Sequence, residues 1–118
     1  MHELSIAQAI VDISARNAGS AQVTRVYVRV GRLRQVVPSA LEFSFELCAH
    51  GTPVEGAELK LELVSVGVSC RSCGATSHPQ GFPLACQACA GLDVEVTQGE
   101  ELQVESLELE AELMTSGG

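Results

Sequence analysis

Residues 70–89 read CRSCGATSHPQGFPLACQAC, and their spacing is what four-thiolate metal chemistry needs. Cys70 and Cys73 form one CxxC pair and Cys86 and Cys89 another, with twelve residues between the pairs. Each pair makes a tight turn that aims two sulfurs at one point, so the four can surround a tetrahedral ion, for which zinc is the first candidate. A closed thiolate shell has no open position, which predicts an ion that builds structure instead of activating water. A rubredoxin-like iron site and a dithiol redox pair are the alternatives, and the second lacks the βαβ context in which redox CxxC motifs occur. Zinc binding worth about 10–16 kcal/mol in small peptides rivals the roughly 5–15 kcal/mol stability of a whole domain. The segment, broken by Gly74, Pro79, Gly81 and Pro83, therefore reads as a loop module clamped by metal and unfolded without it.

A second constellation stands at the start of the chain: Met1, His2 and Glu3. A terminal amine, the amide nitrogen of residue 2 and its imidazole can close fused chelate rings on one metal ion, and Glu3 can add a carboxylate. Nitrogen-rich, near-planar donor sets suit Ni(II) or Cu(II), and all the donors must be deprotonated to bind. A histidine at position 2 is also a common, functionally idle terminal residue, and the residues alone leave both readings open. His78, between the cysteine pairs, reads as a solvated loop residue, and His50 as a helix C-terminal residue favoured by the dipole. Cys48, the fifth cysteine, falls in an apolar helical pattern and reads as a buried structural thiol.

Composition narrows the function classes. Seven Lys and Arg against fifteen Asp and Glu give a net charge of −8. The acids crowd the end: from Asp93 to Glu112 there are eight acids and no base. That balance opposes a nucleic-acid partner, whose phosphates demand a basic face. It suits handling of cations, docking through a two-sign surface, or simply a solvated acidic face. No apolar run approaches the roughly twenty residues of a membrane span, and the amino end lacks a signal-peptide pattern, so the expected location is cytoplasmic. Four of five cysteines in CxxC pairs fit metal in a reducing compartment better than disulfides.

These residues need elements to hold them. Residues 4–18 place Ser5, Gln8, Asp12 and Arg16 on one polar stripe, which predicts a helix buried over most of its girth, opened by a Ser5/Gln8 capping box and ended near Gly19. Val23–Val30 alternates, with Val26, Val28 and Val30 opposite Arg25, Tyr27 and Arg29, as a half-buried strand does. Pro38 opens a second helix over 39–49, with Leu41, Phe45 and Cys48 on one face and Phe43 and Leu47 beside it. Residues 57–63 alternate again as a second strand. Residues 101–113 form a third, whose phase slips between Val104 and Leu107; a bulge near Glu105 and Ser106 would restore one face. Glu108, Glu110 and Glu112 then share the other face and need solvent, arginines or a partner to screen them.

The expected fold is thus α+β: two helices packed on a three-stranded mixed sheet, with a four-cysteine zinc-ribbon-like module inserted between strands two and three. The strands flanking the insertion suit an adjacent antiparallel pair. Residues 1–66 with 100–114 form one domain, 67–99 the module on flexible joints at 66–69 and 97–99, and 115–118 a disordered tail.

The stretches MHELS, GRL at 31–33, PSALEFSFE at 38–46, GTPVEGAELKLE at 51–62, CxxCG, CxxC and TQGEELQVESLELE at 97–110 together resemble the HypA/HybF family of nickel metallochaperones, which mature NiFe-hydrogenase. The resemblance spans essentially the whole chain. It implies a structural zinc on Cys70, Cys73, Cys86 and Cys89, and a transient nickel on Met1 and His2 with Glu3 adjacent. It also implies work with a HypB-type GTPase, delivery to the hydrogenase large subunit, and no enzymatic activity of its own. Two departures stand out. Relatives often carry an acid just before the position of Pro38, where this chain has Val37, and the second knuckle runs into Ala90 where a glycine is usual. A zinc-ribbon module for protein or nucleic-acid interaction, with no nickel role, and an iron electron carrier are the competing readings. An exposed strand edge or exchange of the module leaves homodimer formation open.

Overall fold

The computed structural model describes residues 2–110. Helix α1 (Glu3–Ala18) leads to strand β1 (Val23–Gly31), a 3-10 turn (Arg32–Arg34) and helix α2 (Pro38–Ala49). Strands β2 (Glu58–Val64), β3 (Gly67–Cys70), β4 (Thr76–Ser77), β5 (Val94–Gln98) and β6 (Leu102–Leu109) follow. They form two three-stranded sheets, in the orders β2-β1-β6 and β4-β3-β5. No helix of the described residues is long and apolar enough to cross a membrane.

The first sheet is mixed, and the connections explain why. Arg25 pairs with Glu58 and, four residues on, Arg29 pairs with Glu62, so β1 and β2 run the same way. Parallel neighbours need a crossover, and α2 supplies it. On the other edge, Gln22 accepts the N–H of Glu110 while Gly31 donates to Glu101, so β6 runs antiparallel to β1. The strands that flank the cysteine segment are therefore not adjacent, as the insertion suggested: β1 lies between them.

The two helices pack on each other and complete the α+β layer. Ile6, Ala7, Ile10 and Val11 of α1, Leu41 and Phe45 of α2, and Val23, Val26, Val28 and Val30 of β1 are all buried. An aliphatic core built on one valine-rich central strand needs few aromatics. The helices are less enclosed than their composition suggests: Leu4 and Ile13 of α1, and Phe43 at 62% and Leu47 at 58% exposure on α2, face outward. Cys48 is half-buried, not fully buried. The reason is geometric, since a helix in a two-layer structure has one sheltered face however apolar its others are. The first helix also starts without the expected capping box: His2 is its N-cap, no side chain caps it, and Ser5 lies inside it. Gly19 ends it with φ +64°, where glycine has no Cβ penalty.

The polar face of the sheet places bases on the middle strand and acids on both edges. Arg25 reaches Glu58 at 3.0 Å and Glu108 at 2.8 Å, and the Tyr27 hydroxyl donates to Glu108 at 2.6 Å. An arginine-bearing neighbour thus relieves the acidic strand at Glu108. On β6 the residues Leu102, Val104 and Leu107 are all half-buried despite the phase slip. The slip is matched on β1, where burial passes from Val23 to Val26. The remainder of the expected third strand, with Ala111, Glu112 and Leu113, and the tail at 115–118 lie outside the described residues.

By compactness, Val30–Gln35 and Leu63–Leu102 make one unit and the remaining described residues another. The unit of Val30–Gln35 and Leu63–Leu102 contains the four CxxC cysteines and is more regular than a loop module. Strand β3 pairs antiparallel with β4 and with β5, Cys70 lying opposite Val94. The stretches expected to be flexible joints, 66–69 and 97–99, instead contribute Gly67–Cys70 and Val94–Gln98 to this sheet. Within the unit Gly31 is a required glycine: a Cβ there would sit 1.9 Å from the carbonyl oxygen of Gly99.

Candidate metal centre

Strand β3 carries Cys70 to the site on its last residue, and the chain then makes a turn that repeats, bond for bond, sixteen residues later. In the first turn Cys70 N–H donates to Ala75 O at 2.8 Å and Gly74 N–H to Cys70 O at 2.9 Å. In the second, Cys86 N–H donates to Gly91 O at 2.8 Å and Ala90 N–H to Cys86 O at 2.8 Å. Gly74 takes φ +79° and Ala90 φ +64°. The second knuckle keeps the left-handed turn without glycine, at a steric cost of about 1–2 kcal/mol for an L-residue.

The two turns bring all four sulfurs together, within 4.8 Å of one another. Cys70 and Cys89 are 3.7 Å apart and Cys73 and Cys86 3.6 Å. A tetrahedron with metal–sulfur bonds of about 2.3 Å has edges of about 3.8 Å, so this donor set fits a four-coordinate ion. No oxidised pair is present: all four are free thiols. The first cysteine of each pair is buried and the second exposed.

Backbone N–H groups point at the buried pair. The Cys73 N–H holds the Cys70 thiol down, to about 7, helped by the Ser72 N–H and the neighbouring thiols against the opposing effect of burial. Cys86 is lowered by the N–H groups of Cys89 and Ala88. Cys73 accepts from the Ala75 N–H, which lowers it, but the adjacent Cys86 and Cys70 sulfurs outweigh this and push it to about 11. Cys89 is likewise raised by its neighbours, against the Gly91 N–H. Backbone N–H groups thus favour the thiolate at Cys70 and Cys86, while four negative charges at this spacing need a cation among them. A divalent ion held by the four sulfurs would favour the thiolate at every one.

At the other candidate site, His2 is exposed in the turn before α1 and its carbonyl accepts the Ile6 N–H at 3.0 Å. Among the described residues its imidazole has no hydrogen-bond partner. Met1 lies outside the described residues. Glu3 is only 5% exposed, and its Oε2 accepts the backbone N–H of Val37 at 3.0 Å. The positive amino terminus and this N–H hold its carboxyl far below the ordinary value, at about 2. Its place in the first helical turn adds to that preference for negative charge. The pairing of Glu3 with Val37 had no signal in the sequence, because it joins residues 34 apart through a main-chain group. His78 is exposed, with Nδ1 3.0 Å from the Val66 carbonyl oxygen, and His50 Nδ1 lies 3.0 Å from a Glu55 carboxylate oxygen.

Residues 1–109 match the family model described as hydrogenase/urease nickel incorporation, metallochaperone, HypA. The chain belongs to the HypA family. Among HypA relatives, the hydrogenase maturation factor HypA of Geotalea uraniireducens is 44% identical over 110 residues, covering 93% of this chain and all of that one. That of a Nostoc species is 36% identical, covering 93% of this chain and 96% of that protein. The solution structure of the Ni metallochaperone HypA from Helicobacter pylori superposes with a TM-score of 0.63 at 25% identity, covering 92% of this chain and 97% of that one.

Proposed function

We propose that this chain is a nickel metallochaperone that captures Ni(II) at its amino terminus and delivers it to the large subunit of NiFe-hydrogenase, working in the cytoplasm with a HypB-type GTPase. The observation that carries this reading is the family match over residues 1–109. The nickel ligands are the Met1 amine, the amide nitrogen and imidazole of His2, and the Glu3 carboxylate. The exposed imidazole of His2, without a hydrogen-bond partner among the described residues, supports this, and Glu3 retains acceptor capacity, since a carboxylate offers about four lone-pair sites. Acid releases the metal because every nitrogen donor must be deprotonated. The domain of residues 1–66 and 100–114 carries the nickel, and the module of 67–99 carries a structural zinc on Cys70, Cys73, Cys86 and Cys89. Zinc is supported by the donor set, four soft thiolates in a closed tetrahedral cage.

The test is nickel titration of zinc-loaded, native-terminus protein beside His2→Ala and a variant with one residue added before Met1. Both variants should bind nickel at least about ten-fold more weakly. Parent-like binding by both, with zinc still in place, would overturn the terminal chelate.

A further inference from the structure

A cavity of about 410 Å³ opens within the unit that carries the four CxxC cysteines, between the 3-10 turn and the proline-containing segment that joins the two cysteine knuckles. Its lining sets two bases, Arg32 and His78, and the polar Ser65 and Gln80 beside the apolar Leu33, Val66, Phe82 and Leu84. That volume is in the lower part of the range of ligand-sized sites, about 300–1,000 Å³.

Arg32 is the exceptional base of this chain. Of the seven Lys and Arg, Arg25, Arg29, Lys60 and Arg71 each face a carboxylate. Arg16 and Arg34 donate to backbone carbonyls. Arg32 has no partner among the described residues, although the chain carries fifteen acids. The His78 ring lines the same cavity and is fixed there: a carbonyl only accepts, so the Nδ1 bond to Val66 places the proton on Nδ1. Phe82, 67% exposed, leaves a large apolar side chain at the same cavity without cover.

We propose that this cavity docks a short acidic–apolar segment of a partner protein. A Glu or Asp carboxylate of the segment pairs with Arg32 beside the His78 ring, and an adjacent aliphatic or aromatic side chain fills the space among Leu33, Val66, Phe82 and Leu84. Charge complementarity selects this occupant. One guanidinium on a chain of net charge −8 accepts one carboxylate, whereas a polyphosphate backbone or an anionic membrane is repelled by that net charge. The apolar part of the lining has nothing to offer a simple inorganic anion. The proposal is independent of nickel and stands or falls whether or not His2 is a ligand.

The experiment titrates the zinc-loaded full chain with the peptide Ac-GLEELLEG-NH2 and its uncharged counterpart Ac-GLQQLLQG-NH2, read by NMR at the Arg32 Nε, the His78 ring and the Phe82 ring. The acidic peptide should shift all three signals, and the glutamine peptide should bind about three- to five-fold more weakly. Arg32→Gln should weaken the acidic peptide by a similar factor and leave the glutamine peptide unaffected, with Arg16→Gln as the unchanged control. The proposal is overturned if the two peptides bind alike, if Arg32→Gln has no effect, or if no signal shifts at a few millimolar peptide. It is equally overturned if inorganic phosphate displaces the peptide at matched concentration, or if phosphatidylserine vesicles bind at Arg32 in its place.

Discussion

The carboxylate of Glu3, at the first residue of α1, holds the backbone N–H of Val37 at 3.0 Å, the residue immediately before α2. One side chain thus ties the starts of both helices together at the place where the chain begins. Glu3→Ala should leave that N–H without its acceptor and lower the melting temperature by several degrees, while Glu3→Gln, whose amide oxygen still accepts, should lose less. Thermal unfolding followed by helical circular dichroism separates the two.

The Glu3 carboxyl carries a pH dependence, set first by the positive amino terminus and then by the Val37 N–H. Folding moves the Glu3 carboxyl from the ordinary 4.5 to about 2. Its contribution is therefore complete above the unfolded value and is lost as pH falls through that interval. The stability difference between parent and Glu3→Gln should be constant from neutral pH down to about 5 and shrink toward pH 2. A difference that grows on acidification would contradict the contact.

Ala90 occupies φ +64° where its counterpart Gly74 occupies φ +79°. Ala90→Gly should stabilise the cysteine unit by about 0.5–1 kcal/mol, and Gly74→Ala should destabilise it by about 1 kcal/mol or more. Denaturant midpoints of the zinc-loaded protein, together with the rate of zinc transfer to a chromogenic chelator, report both.

On α2, Phe45 is 2% exposed and Phe43 is 62% exposed. Phe45→Ala should cost about 3–5 kcal/mol, against a change within about 0.5 kcal/mol for Phe43→Ala. Equal losses at the two positions would mean that the helix faces the sheet with a different side.

Removal of one sulfur tests the metal cluster. Cys73→Ser should reduce zinc content from about one per chain toward zero and abolish amide protection across β3 and β5, while the helical signal of α1 and α2 persists. Chelation of zinc from the parent should reproduce the same loss. Full zinc occupancy in Cys73→Ser would sink the four-cysteine assignment.

The sequence by itself determined both helices, the three strands of the first sheet and the four clustered sulfurs, but not the second sheet, whose short strands it read as loop and joints. Alternation placed Val26, Val28 and Val30 on one side of a strand, Pro38 and Gly19 marked helix ends, and two CxxC pairs sufficed to name the four sulfurs that the structure brings together, because each of these is a local property with a period or spacing of a few residues. What only the tertiary structure decided is how distant pieces meet. Strand order was one such matter: the α2 crossover makes β2 parallel to β1 and leaves β6 to take the other edge, a choice invisible in strands that alternate alike. Burial was another, since Phe43 and Phe45 are chemically identical and differ only in which way the helix turns them. The last was partnership across the chain. Glu3 meets Val37 through a main-chain N–H, and among the described residues the Arg32 side chain, alone of the Lys and Arg, has no carboxylate or carbonyl partner, neither of which any short-range pattern encodes.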